Sequence, residues 1–193
     1  YIVVDESHHT AAPSYIKIMN YFNPKFFLGL TATPDRMDKK DILEFYEKNL
    51  VFQMDQEEAI KQGYLSKLIY KGMIDNVDYT NISYNGFKYD VNDLNKNLII
   101  EKRDKAIINK YEELAKNRRS IAFCASIEHA NHCEKIFRKK GYKTLSIHSQ
   151  ASKKNTDDQT LIEKFDKGNY QIAFVVDMLN EGIDIPDIEC ILM

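Results

Sequence analysis

Strand-like runs alternate with helical segments through the last hundred residues, and this alternation limits the fold more than any other feature of the sequence. The runs at 120–124 and 171–176 are short and mostly apolar, the run at 143–147 alternates polar and apolar residues, and the segments between the runs carry apolar residues at helical spacing. Strands that alternate with helices through short connections form parallel sheets with helices on both faces. The sequence therefore predicts an α/β fold, in which ligands bind at the carboxyl ends of the strands.

The first third of the chain has a related pattern that changes near Ser66. Ile2–Val4 and Phe26–Leu30 are apolar runs that indicate buried parallel strands. After Ser66 the sequence is rich in Asn, Asp and Tyr and poor in aliphatic residues. This change predicts two domains, residues 1–66 and residues 67–193.

Weaker signals lie between the two apolar runs and the boundary. A helix is expected to begin at about Pro13, because the first turn of a helix tolerates proline. Asp55, with Glu58 three residues later, predicts a capped helix that stops at a following glycine. Leu50–Phe52 and Lys67–Tyr70 have the length and composition of short strands.

Composition excludes several classes of protein. Hydrophobic residues make up 44% and charged residues 29% of the 193 residues, the ordinary mixture of a globular protein with its own core. No apolar run reaches the roughly 18 residues of a membrane span. Lys and Arg number 27 against 29 Asp and Glu, so nucleic-acid binding would have to come from local patches. Three dispersed cysteines favour a reducing compartment, and we expect a cytoplasmic protein.

Two adjacent acids, Asp5 and Glu6, follow the apolar run Ile2–Val4. Acids that leave a buried strand are costly to desolvate unless they have strong partners or a chemical role. In a nucleotide-hydrolysing α/β fold, the first acid holds Mg²⁺ and the second orients and deprotonates the attacking water. One alternative is a surface turn in which the acids cap the next segment. Another is a metal cluster that adds His8 and His9 to the two acids.

Two hydroxyl residues, Thr31 and Thr33, follow the second apolar run in the sequence Thr-Ala-Thr-Pro. At a strand end, their hydroxyls can form hydrogen bonds to acids on the neighbouring strand. Such a pair could carry information between a nucleotide site and another surface. The alternative is a plain helix N-cap formed by Thr33.

Together, five ordered motifs resemble those of the superfamily 2 helicases and translocases. The matching segments are Asp5–His8 for motif II in its DExH form, Leu30–Pro34 for motif III, Phe123–Ser126 for motif IV, Ile147–Ser149 for the motif between IV and V, and Asn180–Pro186 for motif V. The resemblance points to the group of type III restriction enzyme helicase (res) subunits and excision-repair-type DNA helicases. That group carries Glu-Gly in motif V, as here at Glu181, where DEAD-box RNA helicases usually carry Arg-Gly.

The resemblance implies two RecA-like lobes, with ATP and Mg²⁺ in the cleft between them and a nucleic-acid strand across the top. Residues 1–66 would be the C-terminal part of the first lobe, and residues 67–193 most of the second. The expected function is that of an ATP-dependent DNA helicase or translocase with DNA as its partner. An RNA helicase is one alternative. A nucleic-acid binding or remodelling module that kept the fold and lost hydrolysis is the other.

The same resemblance assigns roles to individual side chains. Asp5 would be the Mg²⁺ ligand, and Glu6 the general base. His8 would link the ATP site to Thr31 and Thr33. The family pattern also brings two residues of motif V to the nucleotide, namely Gly182 and Asp184, with Asp184 near the ribose.

Two residues of the second domain are candidates for nucleic-acid contact. Ser126 begins a helix whose first amides favour an anion such as a nucleic-acid phosphate, and a simple N-cap is the alternative or accompanying role. His148 follows the run 143–147. It either contacts nucleic acid or is a strand-end histidine whose ring forms its hydrogen bonds within the protein. Val176 stands where many relatives have a threonine that touches the nucleic-acid backbone.

The 193 residues lack two motifs that complete the ATP site in the family pattern. They contain no Gly-x-x-x-x-Gly-Lys-Ser/Thr sequence, and they stop before the arginine-rich motif VI. We therefore expect an internal fragment of a longer protein that hydrolyses no ATP by itself. The first lobe would be incomplete, and its open strand edge favours pairing with a second copy or with the second lobe.

Three short basic clusters are either binding patches or solvated helix ends and loops. They are Arg118-Arg119, Arg138-Lys139-Lys140 and Lys153-Lys154. Solvated surface is the commoner state of such clusters.

Overall fold

The structure is a computed structural model that describes residues 1–33, 42–74, 78–86, 88–148, 158–177 and 185–193. The chain divides into two compact units, Tyr1–Gly72 and Met73–Met193. The division falls after Gly72, whereas the sequence places the boundary near Ser66. Residues 66–74 form irregular chain with exposed side chains, so no helix or strand marks the change from one unit to the other.

The described residues of the first unit form two strands and two α-helices. They are β1 (Ile2–Val4), α1 (Pro13–Phe22), β2 (Phe27–Gly29) and α2 (Gln56–Lys61), with 3₁₀ turns at Ser7–His9 and Ile42–Tyr46. β1 and β2 pair in parallel, with Val4 opposite Gly29. The prediction of a helix from Pro13 is confirmed, and α1 ends at Phe22, because the next residue, Asn23, has a left-handed backbone and precedes Pro24. The predicted cap of α2 is also present, because the Asp55 side chain accepts a hydrogen bond from Glu58 N.

The expectation of buried strands in this unit is wrong. Val3 is 58% exposed and Leu30 is 50% exposed. A sheet of two strands buries apolar side chains only where another element packs on it, and the described residues place none over Val3. Leu50–Phe52 and Lys67–Tyr70 are not strands either: their side chains are exposed and their backbone is irregular.

The second unit is a four-stranded parallel sheet with helices on both faces, which confirms the predicted α/β fold. Its elements are α3 (Val91–Leu98), α4 (Glu101–Leu114), β3 (Ser120–Phe123), α5 (Ile127–Lys139), β4 (Thr144–Ile147), α6 (Asp158–Asp166), β5 (Ile172–Val175) and β6 (Cys190–Leu192). The strand order is β4-β5-β3-β6, and all neighbouring pairs are parallel. Within the described ranges, no helix is long and apolar enough to cross a membrane.

Alternate residues of the strands supply two apolar layers, one on each face of this sheet. On one face, Ile172 and Phe174 pack with Phe137 of α5 and Tyr111 of α4. On the other face, the buried cluster consists of Ile121, Leu145, Ile147, Phe165, Ala173 and Val175. Strands buried on both faces read as continuous apolar runs, which explains why β3 and β5 are recognisable from the sequence.

Arg119, one of the basic residues considered for binding, has a structural role. Its guanidinium donates to the backbone carbonyls of Phe165 and Asp166 at the end of α6, and it lies 3.1 Å from Asp187 Oδ2. It also stacks over the Phe165 ring, 4.8 Å from the ring centroid. These contacts hold the end of α6 and the segment before β6 against the start of β3.

Candidate functional site

The ends of β1 and β2 bring the two polar motifs of the first unit to one edge. Leu30 N donates to Val4 O at 2.9 Å, and Ser7 N donates to Leu30 O at 2.8 Å. These bonds continue the parallel pairing just past the strands. The acids that follow β1 and the threonines that follow β2 therefore leave the sheet at its carboxyl edge, where ligands of α/β proteins bind.

His8 connects these two motifs through a single ring nitrogen. Its Nδ1 lies 3.0 Å from Thr31 Oγ1, 3.5 Å from Thr33 Oγ1 and 3.3 Å from Glu6 Oε2. Thr33 N donates to Thr31 Oγ1 at 3.1 Å. In one tautomer Nδ1–H donates to Glu6 or to a hydroxyl, and in the other Nδ1 accepts from a hydroxyl. The structure thus brings together four of the residues selected from the sequence.

Asp5 and Glu6 are both exposed, so the desolvation argument for their role is wrong. The backbone of Glu6 is left-handed, with φ 49° and ψ 47°, as is that of five other non-glycine residues among those described. A left-handed conformation costs a non-glycine residue roughly 1–2 kcal/mol, and strained residues cluster at functional sites. Asp5 Oδ1 accepts a hydrogen bond from Glu6 N at 2.9 Å, which ties the two acids into one turn.

The carboxylate of Asp5 fits a magnesium ion. Mg²⁺ keeps several waters and is typically bound by one or two carboxylates together with substrate phosphates. One oxygen of Asp5 is occupied by Glu6 N, and exposure leaves the other available to a hydrated cation. Among the described residues, no three His, Cys, Asp or Glu side chains converge as a metal-ion site. This finding gives no support to a cluster of the two acids with His8 and His9.

A packed polar layer lies beneath the two motifs. Ser7 and Thr10 are buried, Thr10 Oγ1 donates to Ser7 O at 2.6 Å, and Tyr46 Oη lies 3.1 Å from Thr10 Oγ1. The Tyr46 ring stacks on Phe27 of β2, with centroids 4.9 Å apart. Sequence reasoning missed Thr10 and Tyr46, because neither belongs to a motif and only the three-dimensional fold brings them together.

Gly29 is required by this packing. A Cβ at this position would clash with the Tyr46 phenol and would lie 2.8 Å from Ser7 Cβ. We expect Gly29→Ala to destabilise the first unit by about 1–3 kcal/mol, the usual cost of overpacking. Thermal unfolding followed by circular dichroism measures the loss.

Gly72→Ala is the matched control for this prediction. A Cβ at Gly72 would have its nearest neighbour at 3.5 Å, an ordinary contact. Alanine there should change stability by no more than about 0.5–1 kcal/mol. Equal melting temperatures for the two variants would show that the Gly29 contacts do not constrain the fold.

Ser126 caps α5, as one of its two predicted roles requires. Its Oγ accepts from His129 N at 3.0 Å and donates to Asn95 Oδ1 at 2.5 Å. Asn95 Nδ2 donates in turn to Glu128 Oε2 at 2.7 Å. The serine side chain is buried and its hydroxyl is engaged, so a phosphate at this helix end would meet backbone amides instead.

His148 follows β4 and is also largely buried, with Nε2 3.3 Å from Asn131 Oδ1. Since β3 and β4 belong to one parallel sheet, Ser126 and His148 both lie at its carboxyl edge. Gly182 and Asp184, predicted to face the nucleotide, lie outside the described residues.

Comparisons with known families match the chain in two segments. Residues 1–36 match the family "Type III restriction enzyme, res subunit", and residues 99–193 match "Helicase conserved C-terminal domain". The first segment contains the motifs built on β1 and β2. The second contains the four-stranded sheet with its carboxyl edge.

Relatives extend the match over nearly the whole chain. Irc3 of Schizosaccharomyces pombe, whose name includes the words "mitochondrial ATP-dependent helicase", is 28% identical over 98% of this chain and 32% of its own length. The DNA 3'-5' translocase XPB2 of Sulfurisphaera tokodaii is 24% identical over 96% of this chain and 49% of its own length. The chain therefore spans between about a third and a half of these relatives.

The fold has counterparts among solved structures. Dbp5 of Saccharomyces cerevisiae, solved bound to RNA and ADP BeF3, superposes with a TM-score of 0.52 at 16% identity and covers 98% of this chain and 42% of its own chain. At this identity the likeness concerns the fold, which is RecA-like. The two family segments and the relatives carry the family assignment: the chain belongs to the superfamily 2 helicases.

Proposed function

We propose that this chain is part of an ATP-dependent DNA helicase or translocase. The observation that carries the proposal is His8, whose Nδ1 lies within 3.5 Å of Glu6 and of both threonine hydroxyls. A side chain that contacts both the proposed general base and the threonines of a second motif is suited to coupling the two. The names of irc3 and XPB2 support an ATP-driven motor.

Glu6 is the proposed general base and Asp5 the Mg²⁺ ligand. Glu6 is exposed at a strand end, where its carboxylate can accept a proton from an attacking water. Bound Mg²⁺ would neutralise charge on the phosphates. The hydrogen bond from Glu6 N to Asp5 holds the two carboxylates in a fixed relation. Gly182 and Asp184 are proposed to contact the nucleotide.

Ser126 and His148 are proposed to mark where nucleic acid binds the second unit. Both lie at the carboxyl edge of the sheet, and both side chains are engaged within the protein. We therefore propose that Ser126 and His148 shape this edge, while the first amides of α5 bind the phosphate.

The proposed function is tested by ATP hydrolysis with the full-length protein, assayed with single-stranded DNA and RNA side by side. We expect turnover that DNA stimulates more than RNA. Equal or greater stimulation by RNA would favour the RNA helicase alternative. Nucleic-acid binding without any turnover would favour a module that has lost hydrolysis.

Removing both hydroxyls of motif III should uncouple the motor. In the full-length protein, Thr31→Ala with Thr33→Ala removes the two hydroxyls that contact His8 and leaves both acids in place. We expect ATP hydrolysis to fall less than threefold and strand displacement to fall at least tenfold. The measurements are phosphate release and a fluorescent unwinding assay.

Thr80→Ala is the control for this pair, because Thr80 bonds only to Asp78 among the described contacts and belongs to no motif. It should leave both rates unchanged. A parallel loss of hydrolysis and unwinding in the double variant would contradict the coupling role.

The proposal also covers the cellular location of the protein and the pairing of its first unit. We propose a cytoplasmic location from the cysteine content, whereas the name of irc3 describes that relative as mitochondrial. We also propose that the exposed edge of the first unit pairs with a second copy or with another part of the protein.

A further inference from the structure

A cleft of about 620 Å³ opens at the amino ends of β4 and β5. The side chains that line it include three cations, two tyrosines and an amide: Arg138, Lys143, Lys164, Tyr142, Tyr170 and Asn169. Ser126 and His148 lie at the opposite, carboxyl end of the same sheet. The cleft is therefore separate from the site proposed above.

Positive charge is concentrated around this cleft. Residues 134–143 and 163–167 hold seven Lys and Arg against three Asp and Glu, in a chain whose net charge is −2. Arg138 already bonds to Glu134, whereas no ion pair of the described residues includes Lys143 or Lys164. At least two cations at the cleft therefore have no carboxylate partner among the residues that the structure describes.

Helix ends explain only part of this excess. α5 and α6 both terminate here, and a helix C-terminus carries about half a negative charge. Seven cations against three acids leave an excess of four positive charges. The two helix ends account for about one of them. The end of α6 also has a cation of its own, because Arg119 donates to the carbonyls of Phe165 and Asp166. An excess of about three charges remains for an external anion.

Aromatic rings stand beside these cations. The Tyr142 ring is held edge-on against Tyr111, with centroids 5.3 Å apart, and is tilted against Phe137. Tyr170 packs against the apolar layer of the other face. Both tyrosines are half-buried, so each presents a fixed surface at the cleft. Cations interleaved with fixed aromatic rings are the means by which proteins bind single-stranded nucleic acid.

We propose that this basic cleft is a second binding surface for the sugar-phosphate backbone of a single nucleic-acid strand. Lys143 and Lys164 contact phosphates, and the tyrosines support the strand. The choice of nucleic acid over another polyanion rests on the proposed function; the anion site itself rests on the charges and the cleft. Binding here needs neither ATP nor the motif residues.

The test is the salt dependence of binding, measured by fluorescence anisotropy with a labelled oligothymidylate and the full-length protein without ATP. For single strands, each phosphate contact contributes about 0.7 to the slope of log K against log salt. We expect Lys143→Gln with Lys164→Gln to reduce that slope by about 1.4 and to weaken binding of all sequences alike. Circular dichroism verifies that the variant is folded.

The matched control removes two lysines that already have carboxylate partners. Lys61 lies 3.0 Å from Glu57, and Lys110 lies 2.7 Å from Glu113. Lys61→Gln with Lys110→Gln changes the net charge equally and should leave the slope unchanged. Equal slopes for the two double variants would overturn the proposal, as would a wild-type protein that fails to bind at low salt.

Competition distinguishes nucleic acid from other anions. Oligothymidylate should displace the label at lower concentration than a polyglutamate peptide of equal charge or inorganic phosphate. If polyglutamate competes equally well, the cleft is a site for an acidic protein and the proposal is wrong. If the wild-type full-length protein bound oligothymidylate as expected but hydrolysed no ATP, the proposed function would be wrong and the proposal for the cleft would stand.

Discussion

Replacing Glu6 by Gln in the full-length protein should lower steady-state ATP hydrolysis by roughly 10²–10⁴-fold, the usual contribution of a general base. Glutamine keeps the size of the side chain and its reach to His8 Nδ1, but it cannot accept a proton from water. The affinity for ATP should stay within about twofold, because Asp5 is unchanged. Phosphate release and equilibrium binding of a fluorescent ATP analogue measure the two quantities.

Glu57→Gln provides the control for this variant. Glu57 lies on α2 of the same unit and is exposed, with Lys61 as its partner. Its loss should leave hydrolysis unchanged. If Glu6→Gln turned over ATP at the wild-type rate, Glu6 would not be the base, and its left-handed backbone would belong to an ordinary turn.

The second unit could be predicted from its sequence because its strands are buried on both faces. The runs that end at Phe123 and Val175 are apolar at consecutive positions, whereas the run that ends at Ile147 alternates polar and apolar residues. Continuous apolar runs have few other ways to bury their side chains. Ser126 caps α5, the helix between β3 and β4.

The first unit could be predicted less well, because apolar residues there do not mark buried strands. Leu50–Phe52 and Lys67–Tyr70 have strand composition, but a strand requires a partner, and pairing is a property of the whole fold. Val3 is exposed although its neighbours suggest a buried run. Composition records which residues could be buried, and the packing of other elements decides which of them are.

Sequence predicts the part of the candidate site in which motif residues directly follow two adjacent strands. Parallel pairing of β1 with β2 brings His8 to Thr31, a contact that the resemblance to the helicase family implies. The left-handed backbone of Glu6 could not be predicted, since a non-glycine residue gives no sequence signal for it. The hydrogen bond between Asn95 and Ser126, the cap of α5, could not be predicted from the sequence either, because the two residues are about thirty positions apart.

Phe137→Ala should destabilise the second unit by about 3–5 kcal/mol, the usual cost of emptying a buried phenylalanine site. Phe137 is fully buried on α5. Its ring centroid lies 5.4 Å from Tyr111, 5.8 Å from Tyr142 and 5.3 Å from Phe174. These rings come from α4, from the loop before β4 and from β5, so no one element can move to fill the space.

Urea unfolding followed by circular dichroism measures this loss, and Phe22→Ala is its control. Phe22 ends α1 with most of its side chain exposed, and substitutions of exposed residues usually change stability by less than about 0.5 kcal/mol. Phe137→Leu should fall between the two, because leucine keeps part of the volume. A domain is stable by only about 5–15 kcal/mol, so Phe137→Ala removes a large fraction. If the urea midpoint shifted as little as for Phe22→Ala, the apolar layer beneath α5 would not be what holds the sheet together.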